Sequence, residues 1–254
     1  MVGYRSAVGE ARTWEDQPVA ENGDAVFAVS RSSANYQERL ATGLAMLAGF
    51  VDAYGIITYN TYLSFMSGNT TQTGYRAGQG DFALAAPSAL AITFFAGGSF
   101  VGALIANSET SEPRRTAFGV VAASLALVVG LTQFGHSSDG VLIALACWAM
   151  GILNTTLSRV GSLQVSVTFV TGTLSRLGVH LALAVRGARL RDSQGSWDTH
   201  LHRARLLAGI WAAFLGGALL SGAATPQFGA WALLVPILIL SMLASSPRTG
   251  KMVA

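Results

Sequence analysis

The chain has 254 residues, a formal net charge of +3, a mean hydropathy of +0.46 and a charged fraction of only 11%. Soluble globular domains carry about 25% charged residues, so this composition excludes an ordinary soluble domain and indicates a membrane protein. The basic residues lie between apolar segments and form no single patch, so we expect no nucleic-acid partner. The single cysteine, Cys147, cannot form a disulfide within the chain.

Polar tails flank the predicted membrane domain at both ends. Residues 1–38 contain no apolar run typical of a signal peptide, and their Gly, Ser, Glu and Asp content predicts a flexible tail. The predicted membrane domain covers residues 39–246, and residues 247–254 form a short C-terminal tail.

The membrane domain contains six apolar stretches that are long enough to cross a bilayer. A helix needs about 20 apolar residues to cross roughly 30 Å of hydrocarbon. Because the alternation of a membrane β-strand is absent, we predict an all-α polytopic membrane helix bundle surrounded by the lipid bilayer. The six predicted spans cover about 40–59, 83–106, 116–134, 140–157, 205–224 and 229–246.

The distribution of basic residues predicts that both termini lie in the cytoplasm. With six spans and the N-terminus inside, the outer side receives Arg76 alone, and Arg176 is ambiguous. An excess of Lys and Arg marks the cytoplasmic side of a membrane protein. This orientation places the following residues inside: Arg31, Arg39, Arg114, Arg115, Arg159, Arg186, Arg189, Arg191, Arg203, Arg205, Arg248 and Lys251.

One further apolar segment, residues 165–185, does not fit six spans. A seventh span here would place Arg186, Arg189 and Arg191 outside, against the charge distribution. We therefore interpret 165–185 as a half-span or a re-entrant piece packed in protein, and we expect a similar broken or half-helical segment near 63–75.

The chain also matches itself at four places that follow in the same order. Three spans per copy is an odd number, so a second copy would enter from the opposite side, giving an inverted 3+3 repeat over about 39–134 and 140–246. Many secondary transporters have this arrangement. The alternative is chance similarity among Gly- and Ala-rich helices. The matched segments are 48–53 with 150–155, 65–69 with 169–173, 95–98 with 214–217, and 118–119 with 228–229.

Two motifs of the first repeat resemble a known family. Gly49-Phe50-Val51-Asp52-Ala53, followed by Ser64-Phe65-Met66-Ser67-Gly68-Asn69-Thr70, is similar to the signature of the YoaK-type family of uncharacterised bacterial membrane proteins. The resemblance covers roughly residues 39–245, and Ser67 stands where the family motif has Thr. It implies a six- or seven-helix protein of the bacterial inner membrane, and it supplies no substrate.

Asp52 is the outstanding candidate site residue because it is the only carboxylate inside a predicted span. A charge at the centre of a membrane helix costs about 2.5–3.5 kcal/mol on insertion scales, so it is normally paired, protonated or in contact with water. One reading is a carboxylate that couples transport to a proton or cation. The other is a structural acid bonded to its neighbours. Its repeat partner, Asn154, is polar but cannot titrate.

A polar run after the first span is the second candidate. Ser67-Gly68-Asn69-Thr70-Thr71 has poor helix propensity, which predicts a helix break whose backbone and side chains could bind a ligand. Its counterpart in the second repeat is Thr171-Gly172-Thr173. The alternative is a tight helix contact without a ligand.

Arg176 occupies the position that matches Gln72 in the repeat. It could neutralise Asp52 or bind an anionic solute, or it could mark the cytoplasmic end of a half-helix. His180, one turn further, could transfer protons or lie at the membrane interface.

These features favour a small secondary transporter or permease-like protein for an unidentified small solute, with Asp52 as the candidate proton-coupling group. The alternative is a non-transporting signalling or assembly protein in which Asp52 is structural. We expect no enzyme, cofactor or metal, because H-E-x-x-H, G-x-S-x-G, P-loop and Cys/His-cluster motifs are absent from the sequence. The half-size unit, compared with twelve-helix carriers, predicts a homodimer with Gly-rich spans at its interface.

Overall fold

The computed structural model describes residues 31–110, 112–135, 137–156, 159–160, 163–164, 170–190 and 192–246. These residues confirm an all-α polytopic helix bundle, to which two two-residue strands add one short antiparallel ladder. The elements are α1 (Arg31–Tyr59), α2 (Met66–Gly78), α3 (Phe82–Ala106), α4 (Pro113–Gln133), α5 (Asp139–Thr156), β1 (Arg159–Val160), β2 (Leu163–Gln164), α6 (Val170–Val185), α7 (His200–Phe228), a 3₁₀ turn (Gly229–Leu233) and α8 (Leu234–Ser245).

Five segments are long and apolar enough to cross a membrane, judged by length and composition: Ala34–Tyr59, Phe82–Ala106, Pro113–Gln133, Asp139–Thr156 and His200–Ser245. The last has 46 residues, about twice the length that one crossing needs. It is interrupted at Gly229, where φ is 55° and α7 ends, so it accommodates both the fifth and the sixth predicted span. The first helix begins at Arg31, inside the predicted polar tail.

Helices α1 and α7 pack side by side in the same direction. Near their beginnings, Glu38 Oε1 lies 2.9 Å from His202 Nε2. Further along both helices, the backbone of Gly49 meets that of Phe214. Because the contact positions advance together along both helices, the pair is parallel, and α7 begins at the same end of the bundle as α1.

Helices α3 and α5 form a second parallel pair. Gly140, at the beginning of α5, lies near the side chain of Leu90, and Gly102, towards the end of α3, meets Thr155. Again the contacts advance together along both helices. Two reversals of direction therefore separate α3 from α5, as expected when α4 crosses between them.

The direction of α7 bears on the short helix α6. The chain crosses the membrane four times, in α1, α3, α4 and α5. After the fourth crossing it is again on the side where α1 begins, and α7 begins on that side too. Helix α6 therefore leaves and returns on one side. With 16 residues it is also shorter than each of the five candidate spans, the shortest of which has 18. This agrees with a half-span and not with a seventh crossing.

Glycines allow the α1–α7 pair to approach to backbone contact. A Cβ built on Gly49 would overlap the carbonyl group of Phe214, and a Cβ on Gly217 would overlap the carbonyl of Met46. Backbone atoms cannot rotate out of the way as a side chain can, so any larger residue would separate the helices.

The α3–α5 pair has the same construction. A Cβ on Gly98 would overlap the carbonyl of Trp148, and one on Gly151 would overlap the carbonyl of Phe95. These glycines pack inside the bundle, and the predicted homodimer with Gly-rich spans at its interface stays a prediction. By contrast, a Cβ on Gly216 would have no heavy atom of another group within 4 Å.

The remaining helices complete the bundle around a core built mainly by α1, α4 and α5. Helix α4 packs against α5 and α8, α2 packs against α3, and α6 packs against α7. Fully buried side chains from different helices include Leu44, Leu125, Ile143, Met150 and Leu240.

A buried arginine organises the loop between α6 and α7. Arg203 donates from Nε and Nη2 to the two carboxylate oxygens of Asp198, at 2.9 and 2.7 Å. Its Nη1 also donates to both carboxylate oxygens of Asp192, at 3.1 and 3.0 Å. Burial alone would raise the pKa of Asp198, but Arg203 and the backbone N–H of Gln194 hold it below its usual value. The loop is therefore fixed against the first turn of α7.

Candidate functional site

Helix α1 ends at Tyr59, which is also the end of the first predicted span. Asn60 has a positive φ of 52°, a conformation that Asn tolerates better than most residues. Its N–H donates to the carbonyl of Ile56, and the N–H of Thr61 donates to the carbonyl of Gly55 at 3.5 Å. This is the pattern by which a left-handed residue closes a helix and reverses the chain.

Residues 60–65, which we call the α1–α2 loop, fold back onto α1. A Cβ on Gly55 would lie 2.8 Å from the carbonyl oxygen of Thr61 and would overlap the side chain of Leu63. The loop thus lies directly on α1, and both Thr61 and Leu63 are buried.

Asp52 holds this loop through backbone hydrogen bonds. Its Oδ1 accepts the N–H of Leu63 and the N–H of Ser64, each at 2.8 Å, and the residue is 5% exposed. Neither N–H has a partner within a helix, because both precede α2. The carboxylate therefore satisfies two donors that would otherwise be buried without an acceptor.

Asn69 holds the preceding residue of the same loop. Its Oδ1 accepts the N–H of Tyr62 at 3.2 Å, and its Nδ2 donates to the carbonyl of Tyr62 at 2.6 Å. Asn69 is fully buried. Asp52 and Asn69 together bind the backbone of three consecutive residues, 62 to 64, so the two sequence motifs that contain them meet at one loop.

The predicted broken or half-helical segment near 63–75 is confirmed, but its non-helical part lies before the polar run and not within it. Residues 67–71 are helical, as part of α2, and the non-helical segment is the α1–α2 loop before them. The hydroxyls of Thr70 and Thr71 donate to carbonyls one turn back, those of Met66 and Ser67, at 2.8 and 3.1 Å. Ser67, Thr70 and Thr71 are exposed, so they do not converge with Asp52.

Gly68 packs closely against the α1–α2 loop. A Cβ at this position would press against the ring of Phe65, which itself stacks edge-on against the ring of Tyr62 at a centroid distance of 5.1 Å. Gly68 therefore serves packing of the α1–α2 loop, and its role in ligand binding stays a prediction.

The residues that the predicted repeat matches to this site lie on α5 and α6. Among the described residues, Thr173 is the one buried residue of α6, as Asn69 is the one buried residue of α2. Asn154 lies half-buried in the last turn of α5, and Thr171 is exposed. Residues 165–169, which correspond to part of the α1–α2 loop, lie outside the described residues.

Arg176 does not neutralise Asp52 in this structure. It is exposed on α6, and in the described part of the chain no ion pair joins the two side chains. The partners of Asp52 are the backbone N–H groups of the α1–α2 loop.

One contact of α2 had no signal in the sequence. The hydroxyl of Ser88, a buried residue of α3, donates to Gln72 Oε1 at 2.8 Å. This bond connects the middle of α2 to α3. Serines are common inside apolar spans, so Ser88 by itself did not indicate this hydrogen bond.

We expect Asn69→Leu to destabilise the protein strongly. Leucine has a similar size but leaves the N–H of Tyr62 without its acceptor, and the carbonyl of Tyr62 keeps only the weak contact from Cys147 Sγ at 3.9 Å. Each unsatisfied buried group costs about 1–3 kcal/mol. The expected loss is therefore about 2–4 kcal/mol, measured as the free energy of unfolding in detergent micelles.

Thr70→Val is the matched control, because Thr70 is exposed on the same helix and bonds only to a local carbonyl. Its effect should stay within about 0.5 kcal/mol. Equal stability of the two variants would show that Asn69 does not hold the α1–α2 loop.

Comparison with known proteins places the chain in a family. A family model described as "Protein of unknown function (DUF1275)" matches residues 40–246, and the chain belongs to this family of membrane proteins. The chain is also similar to the "UPF0700 transmembrane protein RA0705" of Rhizobium meliloti (strain 1021), with 26% identity over 220 residues, covering 86% of this chain and 89% of that protein. No solved structure matches. These findings confirm the expectation of an uncharacterised family of multi-pass membrane proteins.

Proposed function

We propose that the protein is a small secondary transporter built from two inverted repeats. The observation that carries the proposal is the equivalence of its two helix crossings. In the alignment of the halves, Gly49 corresponds to Gly151 and Phe214 to Phe95. Gly49 meets the carbonyl of Phe214, and Gly151 meets the carbonyl of Phe95.

The second glycine of each crossing makes an equivalent contact. Gly217 corresponds to Gly98, and Met46 corresponds to Trp148. Gly217 meets the carbonyl of Met46, and Gly98 meets the carbonyl of Trp148. The alignment of the halves thus relates the two contacts of the α1–α7 crossing to the two contacts of the α3–α5 crossing. These four backbone contacts support a repeat better than four similar sequence segments do.

The half-helices support the same interpretation. Each half has one short helix after its first span, and each of these packs against the following span, α2 on α3 and α6 on α7. Interrupted helices at corresponding positions of inverted repeats form the binding sites of many secondary transporters. We infer that the solute site lies between the halves, near the α1–α2 loop.

Asp52 would couple a proton to movement of this loop. A protonated carboxyl group accepts hydrogen bonds more weakly than a carboxylate, so protonation would loosen its hold on Leu63 and Ser64. Release of the α1–α2 loop would in turn expose Asp52 to water. Proton binding and loop movement would then be linked, which is what a proton-coupled carrier needs.

The proposed location is the bacterial inner membrane, with both termini in the cytoplasm. The basic residues near the beginnings of α1, α4 and α7 support this orientation, because an excess of Arg and Lys marks the cytoplasmic side.

A second candidate function is a non-transporting assembly or signalling role. It is favoured by one observation: the hydrogen bonds that Asp52 and Asn69 make to groups of the described chain hold the chain's own backbone, apart from a weak contact of Asn69 with Met66. In that case the motif would maintain a particular loop shape and bind no solute.

A solute screen with purified protein separates the two candidates. Thermal stability is measured against a broad set of small solutes for the wild type, for Asp52→Asn, and for Asp139→Asn, a change of an exposed acid at the beginning of α5. A solute at 100 times its Kd should stabilise the protein by about 2.7 kcal/mol.

Stabilisation of the wild type and of Asp139→Asn, with a reduced or pH-independent effect in a folded Asp52→Asn, would support a coupled carrier. The solute found would then be tested for uptake into liposomes under a proton gradient. If no solute stabilises the wild type and liposomes show no uptake, the transporter proposal fails and the assembly role is preferred.

A further inference from the structure

Helix α6 is tied to α7 by a hydrogen bond between two histidines. The Nδ1 atoms of His180, near the end of α6, and His200, the first residue of α7, lie 2.9 Å apart. Two imidazole nitrogens can bond at this distance only when one of them carries a hydrogen and the other does not. The tie is therefore lost when both rings are fully protonated.

The neighbouring groups make a second positive charge unfavourable. Arg203 of α7 brings a permanent positive charge to the same cluster, and its guanidinium already engages Asp192 and Asp198 of the α6–α7 loop. Burial, with His200 and Arg203 nearby, lowers the pKa of His180, although the two carboxylates act in the opposite direction.

The remaining acid and histidine of this cluster bind each other. Glu38 of α1 lies 2.9 Å from His202 Nε2, and the ring of Trp197 stands edge-on against the ring of His202. Glu38 is therefore engaged elsewhere and does not bond to either ring of the His180–His200 pair.

The corresponding tie in the first half is made by an arginine. In the alignment of the halves, Arg76 of α2 occupies the position of His180. Its Nη1 donates to the carbonyl of Leu84, in the first turn of α3, at 2.9 Å. An arginine keeps its charge at all relevant pH values, so α2 stays attached to α3 while the attachment of α6 depends on protons.

We propose that His180 and His200 form a pH-sensitive latch, which holds α6 against α7 at neutral pH and releases it on acidification. The latch goes beyond the proposed transport activity and does not depend on it. The tie needs one Nδ1 atom without a hydrogen, so docking is favoured at neutral pH and is lost when acidification gives both rings a second hydrogen. Release of the neutral pair takes up two protons, one on each ring, so the ratio of released to docked helix rises up to about a hundredfold per pH unit.

Spin-label distances test the latch in the full-length protein. In a Cys147→Ala background, labels are attached to cysteines at Leu174 on α6 and Leu215 on α7, both exposed. We expect one short distance at about pH 8 and a second, longer distance that gains population towards about pH 5.5, across the histidine range. A reference pair at Thr71 on α2 and Leu104 on α3 should not change with pH.

The variants His180→Gln and His200→Gln, alone and combined, keep a polar side chain that cannot be charged. Each should give the wild-type distance at the higher pH and no change at the lower pH, whereas His202→Gln should keep the pH response. A wild-type distance that does not change with pH, or a response that persists in the single variants, would overturn the proposal. The single variants give this result even if the double variant does not fold.

Discussion

Replacing Asp52 with alanine should cost the protein about 3 kcal/mol or more of its free energy of unfolding. The change removes the acceptor of two buried N–H groups, those of Leu63 and Ser64. Each unsatisfied group costs about 1–3 kcal/mol, and water is not at hand inside a membrane domain to replace the acceptor. The measurement is denaturant or SDS titration of protein in mixed micelles.

Asp52→Asn keeps a hydrogen-bond acceptor but removes the negative charge. Its side-chain carbonyl can still accept the same two N–H groups, and asparagine is the residue at the corresponding position of the second half, Asn154. We therefore expect a loss of only about 1 kcal/mol. Asp139→Ala, on the exposed first turn of α5, should change stability by about 0.5 kcal/mol.

If Asp52→Asn is as unstable as Asp52→Ala, the negative charge itself is needed to hold the α1–α2 loop. If both variants are as stable as the wild type, the loop does not depend on Asp52 at all. The expected order, with Asn close to the wild type and Ala far below it, makes Asp52→Asn suitable for transport measurements because the fold would be preserved.

The membrane spans could be predicted from the sequence because their length is set by the bilayer and not by tertiary contacts. The apolar stretches of α3, α4 and α5 coincide with the predicted spans to within three residues. Hydropathy does not show where a helix continues beyond the membrane, so the beginning of α1 at Arg31 was missed. The direction of α7, which identifies α6 as a half-span, required contacts between distant positions.

The candidate site was predicted in part. Asp52 and Asn69 stood out because polar residues are rare in apolar segments. Their hydrogen-bond partners are backbone groups, which residue identities do not reveal. The broken or half-helical segment near 63–75 was predicted correctly, but the prediction that residues 67–71 are non-helical was wrong, because helix propensity is a weak guide to local structure. The left-handed conformation of Asn60, and not the Gly-Asn-Thr run, determines where α1 ends.

The His180–His200 tie illustrates the same limit. The two residues lie twenty positions apart in the sequence, and a loop organised by Arg203 brings them together. The sequence indicates His180 by itself, as a proton carrier or an interfacial residue. Its partner could be identified only once the packing of α6 on α7 was known.

The second large effect is expected at the helix crossings, where Gly49→Ala and Gly151→Ala should each destabilise the protein by about 3 kcal/mol or more. The added methyl group would meet a carbonyl of the neighbouring helix, that of Phe214 or Phe95, and only separation of the helices can relieve the overlap. Because the two positions correspond in the proposed repeat, we expect similar losses from both changes.

Gly43→Ala on α1 and Gly209→Ala on α7 are the matched controls, since no heavy atom of another group lies within 4 Å of a Cβ at either position. Alanine is the better helix former, so these changes should be neutral or stabilise the protein by up to about 1 kcal/mol. Unfolding free energies of all four variants in the same micelles give the comparison. A loss at Gly49 without one at Gly151 would mean that the crossings are not equivalent, and the inverted-repeat proposal would lose the observation that carries it.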